Sequence, residues 1–214
     1  MAFAASVPSS AFGAAAGAEG VDADADGGLG AAVAGMLAGN EAAFSTVYRV
    51  LQPGLLRYLT VLVGPGEAED VASETWHQAI RDQRRFRGDA PAFRAWLTTI
   101  GRNRALDLLR RRARRPIEHV LEDGADRADP EHTDRAALDA IATHEALALI
   151  ATLPAEQAEA ILLRVVVGLD AKHAAQVLGR RPGAVRTAAY RGLRTLHSRL
   201  VGDTFGLVDA DEVR

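Results

Sequence analysis

Apolar side chains recur every three or four residues along most of this chain, with polar positions between them. That is the pattern of helices burying one face. The spacing predicts a helix starting near Gly30 and running through AAVAGMLAGNEAAF. Phe44, Val47, Leu51, Leu55, Leu59 and Leu62 then form a stripe, with Pro53 expected to break or kink it and GPGE at 64–67 to end it. In the next pattern Val71, Thr75 and Ala79 share one row and Ala72, Trp76 and Ile80 the adjacent one; Val71, Ala72 and Ile80 are expected in the core. After a polar RGDAP break the period resumes at Phe93, Trp96, Leu97 and Ile100. Pro91 suits the first helical position, with Asp89 or Ala90 just outside it.

The stretch PIEHVLEDGADRADPEHTD is acidic, poor in large apolar residues and broken by Gly and Pro, so it reads as a linker. Periodicity returns at Leu138, Ile141 and Leu149, before a Thr-Leu-Pro break at 152–154. Ala158, Ile161, Leu162 and Val165 mark a supporting helix. Asp170 suits an N-cap for AKHAAQVL, Gly179 a left-handed stop, and Pro182 the start of a last helix. In that helix Val185, Ala189, Leu193 and Leu196 are expected inward, leaving Arg186, Thr187, Tyr190, Arg191 and Arg194 outward. A short helix, a glycine turn and a basic second helix make a helix-turn-helix, the geometry that places side chains in a DNA major groove.

Charge changes the picture. The net value of -3 conceals an alternation along the chain. Residues 41–116 hold 14 Arg against 8 acids, whereas 117–150 hold 2 Arg against 9. Residues 151–200 are basic again, with 8 bases against 3 acids. The local field decides binding, so two basic blocks divided by an acidic bridge point to phosphate partners despite a pI near 6.1. The arginines are densest at the end of the first block: Arg102, Arg104, Arg110, Arg111, Arg112, Arg114 and Arg115.

Other chemistries drop out. With 0 Cys, thiol catalysis, disulfides and cysteine zinc sites are excluded. No run of about 18 apolar residues exists to span a membrane. The first 29 residues lack a signal-peptide pattern and read as a disordered Ala/Gly-rich acidic tail. Asp22, Asp24, Asp26 and Gly27 resemble the opening of a calcium loop, but Val33 stands where its closing Glu belongs. His77, His119, His132, His144, His173 and His197 show no metal-ligand spacing, and neither G-x-S-x-G, a phosphate-binding glycine loop nor H-E-x-x-H occurs. No metal, no cofactor and no enzymatic activity are expected.

Two blocks carry a resemblance. GEAEDVASETW at 66–76, FRG at 86–88 and AWLTTIGRNRALDLLRRRARR at 95–115 appear in order. They are followed by LPAEQAEAILLRVVVGLDAKHAAQVLGRRPGAVRT. Together these resemble the second and fourth conserved regions of bacterial RNA polymerase sigma factors, in particular the small extracytoplasmic-function (group IV) class of the sigma-70 family. The resemblance covers roughly 30–200.

It implies an all-α protein of two small helical domains. A region 2-like four-helix domain at 30–115 and a region 4-like helix-turn-helix domain at 136–200 would be joined by a flexible acidic linker at 116–135, with a tail at 201–214. Such a protein binds core RNA polymerase through its β′ and β subunits, binds promoter DNA, and in many relatives is held by an anti-sigma factor. It works in the cytoplasm without inserting into the membrane. Asp70, Glu74, Trp76 and Gln78 match the surface that docks on polymerase. Arg87, Gly88 and Asp89 match the loop that captures a flipped base of the −10 element, with Phe86, Phe93 and Trp96 as stacking candidates. Arg102, Asn103, Arg104, Arg110 and Arg111 match the helix that tracks −10 DNA, where Asp107 would orient an arginine. Arg186, Thr187, Tyr190, Arg191 and Arg194 match the helix that reads the −35 element, with Arg180 and Arg181 near the backbone. Arg180 and the Thr187-Ala188-Ala189-Tyr190 segment depart from the commoner family pattern, so the promoter sequence does not follow. A stand-alone helix-turn-helix regulator would account for 155–200 but leaves 69–115 without a purpose.

Overall fold

The computed structural model describes the backbone of residues 23–114 and 134–206, and the side chains of 28–114 and 142–200. The acidic linker and the two tails lie largely outside these. The fold is all-α: every element among the described residues is helical. The chain divides into two units, 1–121 and 122–214.

In the first unit, α1 (Ala23–Leu37) begins seven residues before the expected Gly30 and buries Leu29, Val33 and Met36. It does not continue to Phe44. Gly39 turns with φ +89, and the Asn40 side chain accepts from the Ala43 amide at 3.1 Å, capping α2 (Glu41–Val63). α2 buries Val47, Leu51, Leu55, Tyr58, Leu59 and Val63 and runs unbroken through Pro53. Pro53 lies on the exposed side of the helix. Water there can serve the carbonyl one turn earlier, which Pro cannot reach with a donor. Gly64, at φ +90, makes a one-residue elbow, and Pro65 starts α3 (Pro65–Asp82), so the GPGE segment is mostly helix. Val71, Ala72 and Trp76 are buried, whereas Ile80 is 42% exposed. Its row continues past the edge of the packed face.

A 3₁₀ turn at Gln83–Arg85 leads to α4 (Ala90–Arg114). Asp89 caps α4, its carboxylate accepting from the Ala92 amide at 2.9 Å. Three helices converge at Gly101: a Cβ there would sit 3.1 Å from Leu55 Cδ1 of α2 and 3.3 Å from Thr75 Oγ1 of α3.

In the second unit, α5 (Asp134–Ala151) ends in a Thr-Leu-Pro link from which Leu153 is buried; the Leu138 and Ile141 side chains lie outside the described residues. α6 (Ala155–Ile161) widens into a π turn over Leu162–Val166. The wider turn shifts the helical phase, so Val165, expected inward, is 62% exposed. Asp170 then caps α7 (Ala171–Leu178), accepting from the His173 amide at 2.7 Å. Gly179 closes it in the left-handed conformation at φ 63, ψ 36, and Pro182 opens α8 (Pro182–Gly206). Val185 and Ala189 are buried, but Leu193 is 48% exposed. Gly192 is the buried position in that turn: a Cβ there would meet Ile161 Cδ1 of α6 at 2.6 Å.

Candidate functional site

The residues matched to polymerase docking occupy two faces of α3. Asp70, Glu74 and Gln78 follow one another at four-residue steps and border α4. Arg104 donates through Nε to Gln78 Oε1 at 3.1 Å and through Nη1 to Glu74. A second cross-helix pair joins Arg112 to Glu67, and Arg112 also donates to the Val63 carbonyl at 3.3 Å. Trp76 faces α2 instead. It is 4% exposed and donates through Nε1 to Gln52 Oε1 at 2.7 Å. Its ring packs edge-on against Phe44 at 5.8 Å and tilted against Tyr48 at 5.0 Å. Trp76 therefore supports the surface from beneath. Tyr48 at 40% and Ile80 at 42% exposure, with Glu69, Asp70 and His77, border the shallow groove above it. Sequence reading missed Tyr48 and Gln52, whose side chains reach Trp76 across more than twenty residues.

The loop before α4 is short and its side chains are committed. Arg87 folds back, donating to the Arg84 and Phe86 carbonyls at 2.7 Å each. Gly88 takes φ 154, a backbone that L residues rarely adopt. Asp89 is the α4 cap. Phe86 and Phe93 are each 1% exposed and in edge-on contact at 5.2 Å, with Trp96 against both at 5.2 and 5.4 Å. The two phenylalanines are core, which removes them as stacking platforms. Trp96 is half-buried and keeps an accessible edge.

Along α4 the exposed polar residues are Asn103, Asp107, Arg110, Arg111, Arg112 and Arg114. Asp107 takes Arg110 at 2.8 Å, and its carbonyl accepts from Arg111 Nε at 3.3 Å, so it does orient neighbouring arginines. Arg102 and Arg104 are half-buried.

The second unit keeps its basic row in view. Arg181 is exposed in the turn before α8, and Arg186, Thr187, Tyr190, Arg191 and Arg194 are exposed on the side of α8 opposite Val185, Ala189 and Gly192, Tyr190 by 67%. The Thr187 hydroxyl donates to the Gly183 carbonyl at 3.0 Å, leaving its oxygen lone pairs outward. Arg180 pairs with Glu156 at 2.6 Å, which ties the turn to the start of α6. That hydrogen bond and charge hold the Glu156 carboxyl below its ordinary pKa and raise that of Arg180. At Asp170, burial alone would push the carboxyl up. The His173 amide and ring and the Lys172 amide outweigh it and hold the carboxyl down. Among the described residues no group of three His, Asp or Glu could hold a metal ion, and no helix is long and apolar enough to cross a membrane.

Residues 47–115 match the family model for Sigma-70 region 2, and residues 143–196 that for Sigma-70, region 4. The chain is 34% identical over 181 residues to the ECF RNA polymerase sigma factor SigD of Mycobacterium tuberculosis, covering 81% of this chain and 84% of that protein. It is 32% identical over 182 residues to the ECF RNA polymerase sigma factor ShbA of Streptomyces griseus, covering 79% and 94%. Among solved structures it is similar to the sigma factor RpoE in complex with the anti-sigma factor NepR from Bartonella quintana. The TM-score is 0.53 at 25% identity, over 73% of this chain and 96% of that one.

Proposed function

The chain belongs to the sigma-70 family of RNA polymerase sigma factors, in its extracytoplasmic-function class, and on that premise we propose how its two units divide the work. It binds core RNA polymerase, directs it to promoter DNA and starts transcription.

The first domain, set at 30–115 with α1 drawing its start toward Ala23, engages polymerase and the −10 element. Asp70 and the groove over Trp76 form the polymerase face, with Glu74 and Gln78 on its α4 side. Arg87, Gly88 and Asp89 shape a loop for an extruded base, while Arg102, Asn103, Arg104, Arg110 and Arg111 track the −10 DNA. Most of these arginines contact phosphate, which positions the protein; Asn103 is the residue suited to a base edge. The second domain, 136–200, reads the −35 element through Arg186, Thr187, Tyr190, Arg191 and Arg194, with Arg181 and Arg180 near the backbone. The linker at 116–135 tethers them.

The observation that carries the assignment is the exposed row on α8, set out by a capped α7 and a left-handed Gly179, together with a first unit whose α3 and α4 carry a polar and arginine-rich surface of their own. A stand-alone regulator would use that row alone and leave the α3 and α4 surfaces idle. The protein catalyses no reaction of its own and acts in the cytoplasm, where its polymerase and DNA reside. Likeness to RpoE, which is bound to NepR, supports adding an anti-sigma factor to its partners.

Run-off transcription with purified core polymerase on pooled genomic promoter fragments tests this. Transcripts appearing only with the protein are expected. Their absence, together with failure of core polymerase to retain the protein, would return the assignment to a stand-alone DNA-binding regulator.

A further inference from the structure

We propose that Glu74 and Gln78 latch Arg104, and that a basic polymerase side chain arriving at Glu74 releases the arginine to a promoter phosphate. This rests on the assignment of Glu74 to the polymerase face and Arg104 to the DNA face. Glu74 and Arg104 sit 30 residues apart in sequence yet share one charge-assisted hydrogen bond. Two side chains one helical turn apart on α3 hold Arg104 through two of its three guanidinium nitrogens, Nε and Nη1.

Exposure is unequal across the pair. The Arg104 side chain is 27% accessible and that of Glu74 is 59%. An incoming cation therefore meets the carboxylate first. A carboxylate has lone pairs enough for two donors, but two cations on it repel one another, and the less accessible one has a phosphate to move to. Arg112 is a contrast, since its second bond goes to the backbone carbonyl of Val63 and ties α4 to the α2–α3 elbow. While latched, Arg104 presents a neutralised pair to DNA. A ligand shifts such an equilibrium only by its preference for one state. The coupling is bounded by what a partly exposed pair contributes, about two- to fivefold. By linkage, DNA must tighten polymerase binding by the same factor.

The test uses the full chain, fluorescence anisotropy and a fluorescein-labelled 20-nucleotide single strand of mixed sequence, with and without core polymerase. Glu74→Gln should tighten binding by the free chain about two- to fivefold. It should also steepen the salt dependence by about 0.7 in log–log slope, one added phosphate contact. Both effects should vanish in an Arg104→Ala background and shrink once polymerase is bound. Glu69→Gln removes an equal charge that pairs with no arginine among the described residues, and should do less. An equal gain from Glu69→Gln, or one persisting without Arg104, would mean general charge and overturn the latch. Weaker binding in Glu74→Gln would overturn it too, making Glu74 a positioning residue that holds Arg104 toward DNA. If Arg104→Ala leaves DNA binding by the polymerase complex intact, the DNA-face assignment itself fails. If Arg104→Ala weakens that complex while Glu74→Gln changes nothing, the latch alone fails.

Discussion

Replacing Gly192 with alanine sets two known effects against each other at the seat of α8. Alanine is favoured over glycine inside a helix by about 0.8–1 kcal/mol, so propensity alone predicts a gain. The new Cβ, however, would lie 2.6 Å from Ile161 Cδ1, 3.2 Å from Gln157 Cβ and 3.4 Å from Ile161 Cγ1. Carbon pairs are most stable at about 3.5–4.0 Å. Ile161 is 1% exposed, so its terminal methyl cannot swing into solvent, and Gln157 Cβ is fixed to its backbone. Overpacking of this kind costs about 1–3 kcal/mol, which outweighs the propensity gain and leaves a net loss of about 0–2 kcal/mol. Ile161→Val removes the closest atom at a cost of about 0.5–1.5 kcal/mol. In that background Gly192→Ala should become neutral or stabilising, a coupling of about 1–2 kcal/mol between the sites. Native-state hydrogen exchange of α6 and α8 amides reads this unit separately from the first. Stabilisation by Gly192→Ala alone, with no coupling to Ile161, would refute the close-packing argument.

Three more outcomes follow from the geometry. Asp170→Ala should destabilise the second unit by about 0.5–2 kcal/mol. Because the folded carboxyl is held below its ordinary value, the cap is fully present above a pH of about 3.9 and lost as pH falls through the lower folded pKa. Melts of wild type and variant at stepped pH should therefore converge in acid, and a constant gap would contradict this. Trp76→Phe keeps an aromatic ring between Phe44 and Tyr48, loses the second ring of the indole, and strips Gln52 Oε1 of its donor. It should cost the first unit about 1–3 kcal/mol in urea unfolding followed by Trp96 fluorescence, and no shift would mean the bond to Gln52 adds nothing. Arg181→Ala should weaken duplex binding and lower the salt slope by about 0.9, the signature of one lost phosphate contact; an unchanged slope would move Arg181 from the DNA backbone to solvent.

Features fixed by local backbone chemistry were readable from sequence. Asp170, Gly179 and Pro182 landed where the helix-turn-helix requires them, and Asp89 capped α4, because caps depend on residues three or four apart. The break at Gly39 and Asn40 was also signalled locally, by a helix-stopping glycine beside a capping Asn, but the apolar period runs across it and hid it. Pro53 was expected to break a helix that its solvent-facing position allows it to share. Ile80, Val165 and Leu193 show that spacing gives a period but not its phase. The π turn at Leu162–Val166 and the close approach at Gly192 reset that phase, and neither leaves a hydrophobic signal. The outward row of α8 was legible for the same reason as its caps. The union of Glu74 and Gln78 with Arg104 was not, since only the packing of α3 on α4 brings them together.

Gly101 gives that packing a mechanical meaning. It is the point where α4 lies tight against both α2 and α3, and thirteen residues of α4 extend beyond it to Arg114. At about 1.5 Å per residue this is a lever of roughly 20 Å seated on a single glycine and steadied further out by Arg104 on Glu74 and Arg112 on Glu67. A tilt of about 5° there would carry the arginine end through about 1.7 Å, more than half the length of a hydrogen bond. A side chain at 101 would act as a shim beneath that lever, moving the far end of α4 without touching any of its arginines.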